Sequence, residues 1–171
     1  MLKIKDPKEV LLAQLGQLLY VEEELANKVL PELIEQAEDG ELKQGLTLHA
    51  TQTHDHVVNL RRVFELLGEE PKTKSDPALK ALQREHKLLV KRLDSPKLKD
   101  LAHAEAVVKT EHLEIAAYTG LLALANPMHL AEEIPELLEK NLEQEQKALE
   151  LGEQAGKQLG EQAAAVAATP S

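Results

Sequence analysis

The stretch KTEHLEIAAYTGLL, residues 109–122, places Glu111 on the apolar line of a helix, three residues after Val108 and four before Ile115. Glu114 follows one turn later. A carboxylate aimed at a core is costly unless it is protonated, paired or bound to a cation. Matching groups occur elsewhere. Glu22 and Glu23 lie three and four residues after Leu19. His49, Thr53 and His56 step by four and three between Leu46 and Leu60. Glu145 lies three after Leu142 and four before Leu149. Carboxylate oxygen and imidazole nitrogen together suit iron or manganese, as one ion or a carboxylate-bridged pair. Tyr20 and Tyr118, one turn from Glu23 and Glu114, are candidates to hydrogen-bond such ligands or donate electrons.

Chemistry of this kind needs elements that bring the groups to one level. Asp6-Pro7 with Glu9 is a helix start, and Leu12, Leu15, Leu19, Ala26, Leu30 and Leu33 carry that helix to about Ala37. EDGE (38–41) is the break, with Gly40 as pivot. A second helix runs to Gly68. The polar segment 68–76 leads to a shorter helix opening at Asp76-Pro77. Ser95-Pro96 opens a third long helix, NPMH (126–129) turns the chain, and the fourth follows, with Pro135 in its first turns or at its true start. The reading is all-α: a ferritin-like four-helix bundle, two antiparallel hairpins joined by a crossover that carries a short fifth helix. It spans 1–165 as a single domain, with 166–171 a frayed tail.

Antiparallel neighbours of equal rise face each other at positions whose numbers sum to a constant. A first turn centred near residue 39 or 40 sets Glu23 against His56, and a second centred near Met128 sets Glu111 against Glu145. The expected ligands are Glu23, His56, Glu111, Glu114 and Glu145. Each has a plainer reading taken singly. An inward Glu is often a boundary residue whose head reaches water, and a core histidine is more often structural. Glu22 and Glu24 read as solvated or interfacial, and His54, His86, His103, His112 and His129 as surface. The coincidence across four helices favours the metal.

Composition narrows the partners. The chain has 171 residues, 43% of them hydrophobic, and a net charge of −10. Such a charge opposes binding to nucleic acid or to an anionic membrane. No cysteine is present, which excludes thiol catalysis and zinc–thiolate sites and fits a cytoplasmic protein. No apolar run approaches a membrane span, and the first residues do not read as a signal peptide.

The stretches LLYVEEELANKVLPEL, HATQTHDHVVNLRRVFELLGEEP and VKTEHLEIAAYTGLLALA resemble the YciF-like, ferritin-like proteins of bacterial stress response, from about residue 7 to 155. The resemblance implies a ferritin-like bundle, a dinuclear metal centre and a homodimer. By position it carries the family's acids onto Glu23, Glu111, Glu114 and Glu145. The second helix departs: where the family reads His-x-x-Glu-Thr, this chain has Gln52 after His49, and a later acid of the last helix falls on Leu149. His56 stands where the family commonly has Gln. The expected function is a metal-binding protein with one or two Fe or Mn ions, handling iron or reactive oxygen under stress, with di-metal oxidase or peroxide-consuming activity open. The alternative is a metal-free helical dimer with a structural or interaction role.

Overall fold

The structure, a computed structural model, describes residues 4–167. Helix α1 (Pro7–Glu24) passes through a single π turn (Leu25–Val29) into α2 (Leu30–Gln36), so the three form one rod. Helix α3 (Gly40–Leu66) returns beside it. Helix α4 (Pro77–Val90) lies on the crossover. Helix α5 (Pro96–Ala125), a 3-10 turn (Asn126–Met128) and α6 (Glu133–Ala167) make the second hairpin. Helix α5 packs on α6, α1 and α4, while α3 packs on α6 and on the α1–α2 rod. This is the expected ferritin-like four-helix bundle with its crossover helix. Of the tail expected at 166–171, Ala167 still ends α6, and 168–171 lie outside the described residues.

The starts follow from local chemistry. Asp6, Asp76 and Ser95 each accept from the backbone N–H three residues on, with proline at the next position. The break between α2 and α3 differs from expectation. Gly40 is already the first residue of α3, and the chain bends at Ala37 and Asp39, both extended. Asp39 caps α3 by accepting from Glu41 and Leu42. Buried Asp100 of α5 accepts from the Glu38 and Asp39 amides, which ties this bend to the other hairpin.

The π turn has a chemical cause. Pro31 has no N–H to return to the Asn27 carbonyl, and its ring would crowd that carbonyl in a regular helix. The backbone widens instead: the Leu30 amide bonds the Leu25 carbonyl, five residues back, and Asn27 Nδ2 donates to the Glu23 carbonyl at 2.8 Å. One extra residue is absorbed without a full step of rise.

The core is leucine-rich, with Leu11, Leu15, Leu18, Leu19, Leu60 and Leu121 almost fully buried. The 68–76 segment is held across α1 at Gly16, whose carbonyl accepts from the Lys74 amide at 2.8 Å. A Cβ at Gly16 would lie 2.6 Å from the Lys72 carbonyl oxygen, a backbone atom. Gly16→Ala is therefore expected to lower stability by about 1–3 kcal/mol. Gly120→Ala, where a Cβ meets nothing within 4 Å, should raise it by about 0.5–1 kcal/mol. Thermal melts of the two variants check the pair; a neutral Gly16→Ala would mean the segment is not pinned there.

Candidate metal centre

Six side chains from four helices meet in the middle of the bundle: Glu22 of α1, His49 and His56 of α3, Glu111 and Glu114 of α5, and Glu145 of α6. All six are buried, five of them to within 1% of full burial. Ligand atoms of His49, Glu111, Glu114 and Glu145 lie within 4.8 Å of one another, and so do those of Glu22, His56 and Glu145. Glu145 belongs to both groups. The arrangement is two adjacent pockets of acceptors with one shared carboxylate.

The sequence pattern places Glu111 and Glu145 together, and the structure does the same, with Glu114 beside them. Glu23 is different. Its carboxylate is partly exposed and paired with Arg61 Nη2 at 2.8 Å, outside the cluster. Its neighbour Glu22, read from the sequence as solvated, is the inward acid: Glu22 Oε2 is 3.4 Å from His56 Nδ1. The extra residue of the π turn shifts the facing position by one, from 23 to 22. His49, read as structural, joins the cluster with Nε2 at 3.0 Å from Glu111 Oε1. Gln52 and Leu149, where the family's acids were expected, are half-buried.

Around these lie residues that sequence reasoning passed over. Gln144 Oε1 is 2.8 Å from His56 Nε2. An amide oxygen can only accept, so Nε2 carries a proton, and Nδ1 lies 2.8 and 3.4 Å from the Glu145 and Glu22 carboxylates. Asn141 Nδ2 donates to the Tyr118 hydroxyl at 2.9 Å, and Tyr118 in turn donates to Glu22 Oε1. Asn141 Oδ1 accepts from Asn59 at 2.6 Å. Tyr118 is thus a fully buried hydrogen-bonding partner of Glu22, while Tyr20 lies half-buried at the core's edge under Lys80. Asn141 sits four before Glu145 on the same line, a spacing that could have pointed to it.

Nδ1 facing two carboxylates needs a proton or a metal ion between them. Glu22 Oε2, His49 Nδ1, Glu111 Oε2, both oxygens of Glu114 and both of Glu145 have no hydrogen-bond partner among the described residues. Buried acceptors are ordinarily satisfied. Seven unpaired acceptor atoms converging from four helices, more than the Tyr118 hydroxyl and two imidazoles can satisfy, suit a cation, and the ligand set fits iron or manganese. The hydrogen bond from His56 Nε2 to Gln144 is the outer-shell contact that fixes a ligating imidazole.

Protons are the only other relief. Burial raises the pKa of Glu22, Glu114 and Glu145, Glu114 well above the carboxylate range, and their mutual repulsion adds to this. Burial pushes Glu111 up to about 7. Burial opposes charge on His56, but the Glu145 and Glu22 carboxylates beside Nδ1 outweigh it and raise the imidazole to about 10. Burial lowers His49.

One other histidine was misplaced by sequence. His103, expected at the surface, is fully buried under α4, with Nδ1 2.9 Å from His86 Nε2.

The chain matches the model of the family described as Domain of unknown function (DUF892) over residues 6–165. It is similar to YcfI from Rhodopseudomonas palustris, provisionally described as a structural protein: 31% identical, covering 88% of this chain and 95% of that one, with a TM-score of 0.84. It is similar in fold to the stress protein YciF of E. coli, 23% identical, covering 92% of this chain and 99% of that one, with a TM-score of 0.85. No curated protein matches the chain in sequence.

Proposed function

The chain belongs to the DUF892 family, and on that premise we propose that it is a metal-binding ferritin-like protein with a two-ion carboxylate–histidine centre. One observation carries the reading: buried, unpartnered acceptors from four helices converge on two adjacent pockets that share Glu145. His49, Glu111, Glu114 and Glu145 would hold one ion, and Glu22, His56 and Glu145 the other. Four carboxylates carry four negative charges, which two divalent cations balance. The loss of the acid at Gln52 is offset by a second histidine, so the set is four Glu and two His, the complement found in di-iron and di-manganese carboxylate bundles. Here the two histidines share α3.

Bound iron or manganese would supply electron transfer to oxygen or peroxide, which suits a role in iron or reactive-oxygen handling under stress. The chain's own residues do the rest. Gln144 orients His56, Tyr118 and Asn141 hold Glu22, and the leucine-rich bundle keeps bulk water from the carboxylates. Among the described residues no helix is long and apolar enough to cross a membrane. A cytoplasmic homodimer, with exposed Leu48, Val58 and Leu151 toward the second copy, belongs to the same proposal.

Binding to the native state alone should raise the melting temperature by mass action, worth about 2.7 kcal/mol at a hundredfold excess over the dissociation constant. Melts with anaerobic Fe(II), with Mn(II) and with chelator test this. Identical melting in all three would favour the second reading, a metal-free structural dimer. The 2.8 Å approach of His56 to Glu145, which a shared proton would satisfy, speaks for that alternative.

A further inference from the structure

A hydrogen-bond chain runs from α3 through α6 and α5 to Glu22 on α1. Asn59 Nδ2 donates to Asn141 Oδ1 at 2.6 Å. Asn141 Nδ2 donates to the Tyr118 hydroxyl at 2.9 Å, and Tyr118 donates to Glu22 Oε1. Asn141, Tyr118 and Glu22 are fully buried, whereas Asn59 is half-buried. Each link has a direction, and each fixes the next. An amide carries its oxygen on one side and its nitrogen on the other. Because Asn59 donates, Asn141 turns Oδ1 toward it and Nδ2 toward Tyr118. The His56 carbonyl, 3.4 Å from the same Nδ2, favours that setting, since an amide oxygen there would face another acceptor. A phenol has one hydrogen. With Asn141 donating to its oxygen, Tyr118 sends that hydrogen to Glu22 Oε1. Glu22 Oε2 is left without a partner, 3.4 Å from His56 Nδ1.

We propose that Asn59 is a positioning residue: by donating, it sets the direction of the relay through Asn141 and Tyr118 and so leaves Glu22 Oε2 free for the ion beside His56. The ion is that of the metal reading, on which this part rests; the relay itself needs none. An acceptor at position 59 would reverse every link. Asn141 would turn Nδ2 toward it, and Asn141 Oδ1 would take the Tyr118 hydrogen. Glu22 Oε1 would then face a phenol lone pair. The carboxylate would swing away or take up a proton, and either loosens the ion.

The test is Asn59→Asp, for which charge and hydrogen-bond direction give opposite results. A new negative charge near a cation should strengthen binding by Coulomb attraction alone. Through the relay it should weaken one Mn(II) of the two by ~10–100-fold, the cost of losing an outer-shell partner. Tyr118→Phe cuts the relay, so Asn59→Asp in that background should no longer weaken binding. Asn59→Gln, which keeps a donor, should retain both ions. Calorimetric titration of these full chains with Mn(II) reads the cycle, and Asn59→Glu, a longer acceptor that reaches water more freely, serves if Asn59→Asp does not fold. In the metal-free chain, NMR contacts of the Asn141 side-chain amide hydrogens should move from the Tyr118 ring to position 59. Tighter or unchanged Mn(II) binding in Asn59→Asp, or the same loss with and without the Tyr118 hydroxyl, would overturn the proposal. So would amide hydrogens that stay at Tyr118. A wild-type chain that takes up no Mn(II) while its Asn141 amide turns as expected would defeat the metal reading and leave the relay standing. Uptake of two Mn(II) with an amide that does not turn would do the reverse.

Discussion

Glu145→Gln should remove both ions at once. Glu145 is the one side chain common to the two groups, so losing its charge weakens each. The loss should exceed the ~10–100-fold in affinity that an outer-shell partner costs. Glu114→Gln is the contrast. Both Glu114 oxygens lack a partner and burial already favours the protonated acid. A neutral amide of nearly equal volume should leave the metal-free melting temperature unchanged or higher, while one ion of the two is lost. Glu111→Gln should behave likewise. Gln144→Leu removes the acceptor that fixes His56 and should fall in the ~10–100-fold class without changing the stoichiometry. Metal content per chain and melting of each metal-free variant, read side by side, check the series. Two ions retained by Glu145→Gln would take it out of the bridging position. A large loss of metal-free stability in Glu114→Gln would show a structural hydrogen bond instead.

The metal-free protein should melt higher near pH 6.5 than near pH 8.5. A carboxyl whose native pKa lies above its unfolded value keeps its proton longer in the folded chain, so stability falls as pH rises through that interval. For Glu111 the interval runs from 4.5 to about 7, so only its upper end falls between pH 6.5 and 8.5, worth under about 1 kcal/mol at ~1.4 kcal/mol per unit. Glu22, Glu114 and Glu145 shift in the same direction. His56, raised from 6.5 to about 10, adds stability that is fully present below 6.5 and lost as pH climbs toward 10. Below pH 6.5 three histidines oppose the acids. Burial lowers His49, His86 and His103, the last to about 4, so each costs stability as pH falls and the rise should level off. Metal reverses the trend, because its ligands must be deprotonated: Mn(II) should raise the melting temperature more at pH 8.5 than at 6.5. A metal-free melting temperature that climbs steadily with pH would mean that the cluster is not made of buried, raised carboxyls.

Much of this was legible in the chain. Caps at Asp6, Asp76 and Ser95 stand beside proline, a local signal that tertiary context does not override. The Glu111–Glu145 pairing followed from counting because α5 and α6 are regular between the site and their turn. The same counting missed by one on the first hairpin. Pro31 was visible, but the way the backbone relieves it, as a π turn rather than a kink, is set by packing. That single residue decides whether Glu22 or Glu23 points inward. His103 was misread because a histidine under a docked crossover helix has the same spacing as one in water. His49 was underrated because its role depends on Glu111, a partner 62 positions away in sequence that no local pattern reveals.

The most direct test of the two-ion centre is anomalous diffraction from crystals of the full chain grown with Mn(II). Two peaks should appear in the bundle, one among His49, Glu111, Glu114 and Glu145, the other between Glu22 and His56, with the Glu145 carboxylate reaching both. An empty bundle, or manganese bound only at the acidic surface, would contradict it.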